Sequence, residues 1–438
     1  MTSTTKFYLL GGLVCLPLIN ACVPQPRIQI TDKTDLPTFE VKRSYPRNQS
    51  SVLSVKSIPE RVRNNHPQLI AARKAIEVAE GKLSQSGRLA NPELEISATK
   101  GIPSSTGEIE LGFSQRFPVT NKLSLEKRVH KDAVKIAQTE VRIIEHQLGA
   151  QAQLIAVEIL GKDREYALLE KQKKAYQSVV DWITETAKRG EISKLEANVP
   201  QLEIKTIELK QKQLVNQKQL LTQQLKGLVG MPASRPLTVK GSLPQATIPN
   251  TTLNLQKHPL YIAKQQVIAQ SKSNVLLEKA KRYEDPELKF TGSLGREEDA
   301  PDGLETEGTI GIGLSIPLPL YDKNEGNIKA ATAQVETDML ELNTLSASIK
   351  NQAAEHKLAM QNWLKQNTEI KKTLLPFAKK NTEELEKAYQ QGQGDYLSFL
   401  QARKQTIELE KQLLENTMEY HRARVRYFNS IGQLQPTF

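Results

Sequence analysis

At 438 residues the chain has room for two or three ordinary domains, yet aromatics are only 5% of it and charged residues 25%. That balance excludes a single aromatic-rich core and points to long helices with much water contact. The net charge of +11 would suit a nucleic-acid binder, but the lysines lie scattered among glutamates in stretches such as KDREYALLEKQKK, which is the pattern of solvated helix faces.

Residues 1–21 read as a signal peptide. Lys6 precedes the apolar run FYLLGGLVCLPLI, which is too short to span a bilayer. Ile19-Asn20-Ala21-Cys22 resembles a bacterial lipobox, in which the cysteine is acylated (palmitate is one such chain) and becomes the mature N-terminus. Cys22 is therefore the expected lipidation site. Val23 follows it rather than aspartate, a sorting pattern that permits transfer to the outer membrane. Cys15 leaves with the signal, so Cys22 is the single mature cysteine and no intrachain disulfide is expected. Export also argues against a nucleic-acid partner. Residues 22–57, rich in proline and polar side chains, read as an extended N-terminal arm carrying the lipid anchor.

The remainder is written twice. His66-Pro67-Gln68-Leu69 returns as His258-Pro259-Leu260-Tyr261, and Asn91-Pro92-Glu93-Leu94 as Asp285-Pro286-Glu287-Leu288. Gly112-Phe113-Ser114 returns as Gly313-Leu314-Ser315, and Gly190-Glu191-Ile192-Ser193-Lys194-Leu195 as Gly392-Gln393-Gly394-Asp395-Tyr396-Leu397. The order is kept, and the spacing holds at roughly 190–200 residues. Residues 58–230 form the first structural repeat, 231–257 a proline-rich linker, and 258–438 the second repeat. Each repeat reads as a helix, two strands, a very long helix, a tight turn and a long helix.

The strands alternate. Leu94, Ile96 and Ala98 interleave with Glu93, Glu95, Ser97 and Thr99, and Ile109, Leu111, Phe113 and Phe117 with Glu108, Glu110, Ser114 and Arg116. Leu288, Phe290 and Leu294, then Ile310, Ile312, Leu314 and Ile316, repeat the pattern. Period two gives one apolar and one polar face, and about ten residues is the length that crosses an outer membrane when tilted. A soluble sheet with one buried face would need an apolar cover. The flanking helices are too long to stay beside it. Residues 123–188 run without a breaker, on the order of 100 Å at 1.5 Å per residue, and 327–390 are interrupted only by Pro376. Four strands cannot close a barrel, and open edges are not tolerated in lipid. Association is therefore expected: a dimer would supply eight strands, which fill their own interior, and a trimer twelve, which leave a lumen.

This layout closely resembles the outer-membrane efflux channels of the TolC family, over nearly the whole mature chain. The duplicated plan, the His-Pro helix starts, the NPEL and DPEL strand openings and the G-x-x-[SD]-x-L turns carry the resemblance. The stretch SIPLPLYDKNEGNIKAA narrows it to the CzcC-like subfamily, which serves heavy-metal efflux of the resistance–nodulation–division type. The resemblance implies an α+β membrane protein: a trimeric outer-membrane β-barrel, four strands per chain, continuous with a long periplasmic α-helical barrel. It also implies a periplasmic adaptor (membrane fusion) protein and an inner-membrane resistance–nodulation–division pump as partners. The expected place is the bacterial outer membrane, lipid-anchored and reaching into the periplasm. In that stretch Pro317 and Pro319 end the sheet pairing, and Gly326 is expected to let backbones approach where strands give way to helix.

No catalytic constellation or cofactor motif is visible, so the chain reads as a passive duct and not an enzyme. The six histidines include no pair three or four apart, and no metal site is expected. Glu297, Glu298, Asp299 and Asp302 could bind calcium but read as a solvated extracellular loop. The two helix turns are the strongest functional candidates. Ser193 with Glu196 reads as a capping box and Asp395 as an N-cap. By the resemblance, Gly190, Glu191, Ser193, Leu195, Gly392, Asp395 and Leu397 form the periplasmic tip that meets the adaptor and closes the pore. Asp395, Glu191 and Glu196, repeated three times, could form an acidic gate favouring cations. Pro200 and Pro376 are expected to kink the helices near this tip. Two other readings stay open: a type I secretion or drug-efflux duct, and a periplasmic coiled-coil scaffold without membrane strands.

Overall fold

A computed structural model describes residues 51–102, 106–190, 192–299 and 303–435, all within one unit, Ser50–Phe438. The signal segment, Cys22, most of the N-terminal arm, Glu191 and Asp302 lie outside the described residues, as do the side chains of Glu297, Glu298 and Asp299.

The first half opens with β1 (Ser51–Ser54), α1 (Ile58–Asn65) and α2 (Pro67–Gln85). Pro67 opens α2 without loss, because the first N–H groups of a helix have no partner in it. The ring of His66 caps the same end, its Nδ1 accepting from Gln68 N at 3.2 Å. The hairpin β2 (Glu93–Lys100) and β3 (Gly107–Arg116) follows, then α3 (Lys122–Lys188), 67 residues long, and α4 (Asn198–Leu228). The second half runs β4 (Leu237–Lys240), α5 (Pro259–Lys281), β5 (Glu287–Asp299), β6 (Gly303–Ser315), α6 (Glu325–Glu369), α7 (Leu375–Gln390) and α8 (Tyr396–Ser430). A π-helical turn, Ile370–Leu374, joins α6 to α7.

That turn is how Pro376 is absorbed. A proline inside an α-helix lacks one N–H and collides with the carbonyl four residues back, and widening the preceding turn relieves both problems. The expected interruption is thus a bulge in a helix that continues. Pro200 corrects the expectation of a second kink. It is the third residue of α4, in the first turn, where a missing N–H breaks no helical bond. The carbonyl four residues back, that of Glu196, accepts instead from the Tyr396 hydroxyl at 2.9 Å.

The four longer strands form one antiparallel sheet in the order β2-β3-β5-β6, with β3 against β5 joining the two hairpins. β5 and β6 are 13 residues each, longer than their counterparts in the first half. β6 stops at Ser315, just before the prolines that cannot donate to a ladder. The role expected of Gly326 is not seen: within the chain, a Cβ there would meet nothing within 4 Å. The special backbone belongs to Asn324, at φ 55°. Its side chain donates to the main-chain carbonyl of Glu278 at 2.8 Å, and its N–H to Asp322 Oδ1 at 2.8 Å, fixing the start of α6.

The linker is tied down. β4 pairs in parallel with β1, Ser51 opposite Leu237 and Ser54 opposite Lys240. Leu53, Val55 and Val239 join Ala156, Val157 and Ile159 of α3 in the largest apolar cluster. Further along, the Tyr420 and Tyr427 hydroxyls of α8 donate to the carbonyls of Thr247 and Thr251, at 2.5 Å each. None of the described helices is long and apolar enough to cross a membrane.

Candidate functional site

The two turns are built alike. Just past the end of α3 comes Gly190 at φ 78°, and just past α7 comes Gly392 at φ 73°, left-handed positions that glycine alone takes at no steric cost. Ser193 and Asp395 then restart the chain, and each leads to an exposed leucine, Leu195 at 73% and Leu397 at 60%. Asp395 caps α8 as expected, its carboxylate accepting from Ser398 N at 2.9 Å and Ser398 Oγ at 3.1 Å. The Ser398 main-chain N–H holds the Asp395 carboxyl below its usual pKa.

The capping box is only half formed. Ser193 Oγ accepts from Leu195 N at 3.2 Å, because Lys194–Ala197 is a tighter 3-10 turn and α4 begins only at Asn198. Glu196 does not reach back to Ser193. Its Oε2 accepts from the Tyr389 hydroxyl at 2.6 Å. With the Tyr396 hydroxyl on its carbonyl, Glu196 staples the first turn to the second. Glu196, one of the residues expected in an acidic gate, thus has one carboxylate oxygen engaged between the two turns.

Around the staple sits an aromatic cluster that the sequence reading missed. Trp182 meets Tyr389 edge-on at 4.9 Å between ring centroids, and Tyr389 stacks on Phe399 at 6.1 Å. The guanidinium of Arg403 lies 5.5 Å from the Phe399 ring centre and 5.8 Å from that of Tyr176. Burial, and then the Glu196 charge, push the Tyr396 hydroxyl up to about 12. Tyr389 moves further in the same direction, from burial first and then its bond to Glu196. Both therefore remain hydrogen-bond donors at neutral pH. The available signal was compositional: Tyr389, Tyr396 and Phe399 crowd one turn of an aromatic-poor chain.

The sheet presents a second surface. In register across its strands lie Leu94, Phe113, Phe290 and Ile312, and beside them Ile96, Leu111, Gly292 and Ile310. These large side chains are exposed, Leu94 at 69% and Ile312 at 73%. A contiguous exposed apolar face of this kind marks contact with lipid or protein. The opposite face carries Glu95, Glu110, Ser293, Thr309 and Lys289. Lys289 Nζ pairs with Glu95 Oε2 at 2.9 Å, and Ser293 Oγ lies 2.7 Å from Thr309 Oγ1. Among the described residues, β2 and β6 each keep one edge unpaired.

Known proteins share this arrangement. Residues 253–433 match the family described as outer membrane efflux protein. Over 398 residues the chain is 22% identical to the cobalt-zinc-cadmium resistance protein CzcC of Cupriavidus metallidurans, with 89% of each chain covered. Its fold is similar to that of CusC, with a TM-score of 0.71 and 13% identity over 89% of this chain and 96% of that one. It is also similar to VceC, an outer membrane protein of Vibrio cholerae, with a TM-score of 0.67 and 16% identity over 86% of this chain and 96% of that one. Over residues 253–433, which hold the second strand hairpin and the long helices α6 to α8, the chain is thus similar to the outer membrane efflux protein family.

Proposed function

We propose that three copies associate so that their sheets close a twelve-stranded barrel in the outer membrane, while their helices form a second barrel through the periplasm. One observation carries this reading. The sheet has a continuous exposed apolar face, a polar opposite face and two open edges, a combination that lipid tolerates only when the edges are closed. The resulting duct is passive. It receives cargo from an inner-membrane pump of the resistance–nodulation–division type through a periplasmic adaptor, and Cys22 adds a lipid anchor.

The turns at Gly190 and Gly392 are the adaptor-facing tip. Leu195 and Leu397 offer apolar contact there, and Ser193 and Asp395 shape the return helices. Asp395 and Glu191 remain candidates for an acidic ring at the entrance, which would favour cations. Glu196 holds the tip together.

The cargo on this reading is metal cations. The similarity to a cobalt-zinc-cadmium resistance protein and the PLPLYDKNEG stretch support it. The test is deletion of the gene from its own host, with complementation. Loss of tolerance to Co²⁺, Zn²⁺ or Cd²⁺ is the expected result. Unchanged metal tolerance, with new sensitivity to organic drugs or loss of a secreted polypeptide, would instead favour a drug-efflux or type I secretion duct.

A further inference from the structure

Away from the turns and the sheet, one cavity joins the two repeats where the second begins. Its walls include His146 of α3, His258 at the start of α5, Gln352 of α6 and Asn429 of α8. His258 is only 4% exposed. Its counterpart His66 has a plain local task, capping α2 through Nδ1. His258 holds the same cap position but makes no such bond. Its ring is hydrogen-bonded to the main chain of Ser430, and its Nδ1 is buried without a partner. His146 Nδ1 is also buried without a partner.

Unpaired buried ring nitrogens are costly, and two of them lining one cavity need a common explanation. An imidazole bound to a metal typically offers one nitrogen to the ion while the other donates to a main-chain carbonyl or carboxylate. The His258–Ser430 pair has that form.

We infer that His146 and His258 form a two-histidine site for a transition-metal ion of the zinc or cobalt class, completed by water and amide oxygens of the cavity wall. Among the described residues no three His, Cys, Asp or Glu side chains could hold a metal ion together, so only two strong donors come from the chain. Binding is accordingly weaker than at a four-ligand structural zinc site. An ion there would tie the middle of α3 to the start of the second repeat. The inference is independent of the duct reading, and its test involves no transport.

Full-length purified protein is titrated with Co²⁺ and followed by its ligand-field absorption. One ion per chain is expected. His146→Ala and His258→Gln should each weaken binding by at least about tenfold, while His130→Ala and His356→Ala leave it unchanged. Pulsed EPR of the unmutated protein with one equivalent of Cu²⁺ should show two imidazole rings, a readout that does not depend on a variant folding. Undiminished Co²⁺ affinity in both cavity variants, or a Cu²⁺ signal with one imidazole or none, overturns the site.

Discussion

Tyr389→Phe removes one hydroxyl and leaves the ring in its place against Trp182 and Phe399. The lost bond is the 2.6 Å donation to Glu196 Oε2. A hydrogen bond to a charged group contributes roughly 1.5–3 kcal/mol. Glu196 keeps some contact with water, so the lower end applies. About 1.5 kcal/mol corresponds to roughly tenfold in the equilibrium between the closed tip and a locally opened one. Hydrogen exchange on the full-length protein reads that equilibrium directly. Amides of residues 192–199 and 388–400 should exchange about tenfold faster, and those near the middle of α3 should not change. Glu196→Gln should overlap with Tyr389→Phe, so that the double variant is little worse than either single one. Unchanged exchange at the tip, or full additivity of the two substitutions, would refute the staple.

On β6, Ile312 lies in the apolar row and Thr309 on the polar face. Ile312→Arg sets a cation against lipid, at a cost of about 2–4 kcal/mol near mid-bilayer. It should sharply reduce the protein recovered from outer-membrane fractions, whereas Thr309→Arg should not, and equal recovery would contradict the assignment of faces. Pro376→Ala restores an N–H beside the π turn and should change how often the pore opens in planar bilayers, at constant open conductance. Pro200→Ala breaks no helical bond and should change neither, so matching effects would refute the distinction. Burial, then Arg164 and Arg424, lower the pKa of His421 from 6.5 to about 3. A base with a depressed folded pKa adds stability above its unfolded pKa and loses it as pH falls, here across the window from 6.5 down to about 3. Thermal unfolding of His421→Gln should depend less on pH across that window, and an unchanged slope would contradict the reasoning.

Features carried by local pattern were legible in the sequence. The 123–188 apolar spacing became Lys122–Lys188, and the alternating runs became strands whose apolar rows align across the sheet. The glycines of the turns were legible too, because a left-handed position depends on one residue. What escaped depends on partners remote in sequence. Tyr389 and Glu196 lie 193 positions apart, and nothing in TETAKRG or EISKLEA announces the hydroxyl that will meet the carboxylate. His146 and His258 never share a window, so a search for ligands three or four apart passes over them. The pairing of β1 with β4 joins two stretches that read as loose connectors. Pro200 was misread for a related reason: whether a proline kinks or opens a helix depends on where the first turn falls, and here the 3-10 segment before it set that point.

The central claim is that four strands per chain become a closed barrel by association. Native mass spectrometry of the detergent-extracted outer-membrane protein tests it most directly. Three copies in a complex that survives extraction is the predicted result. A stable monomer, or a complex of two, would contradict it, because neither supplies enough strands to enclose a water-filled lumen.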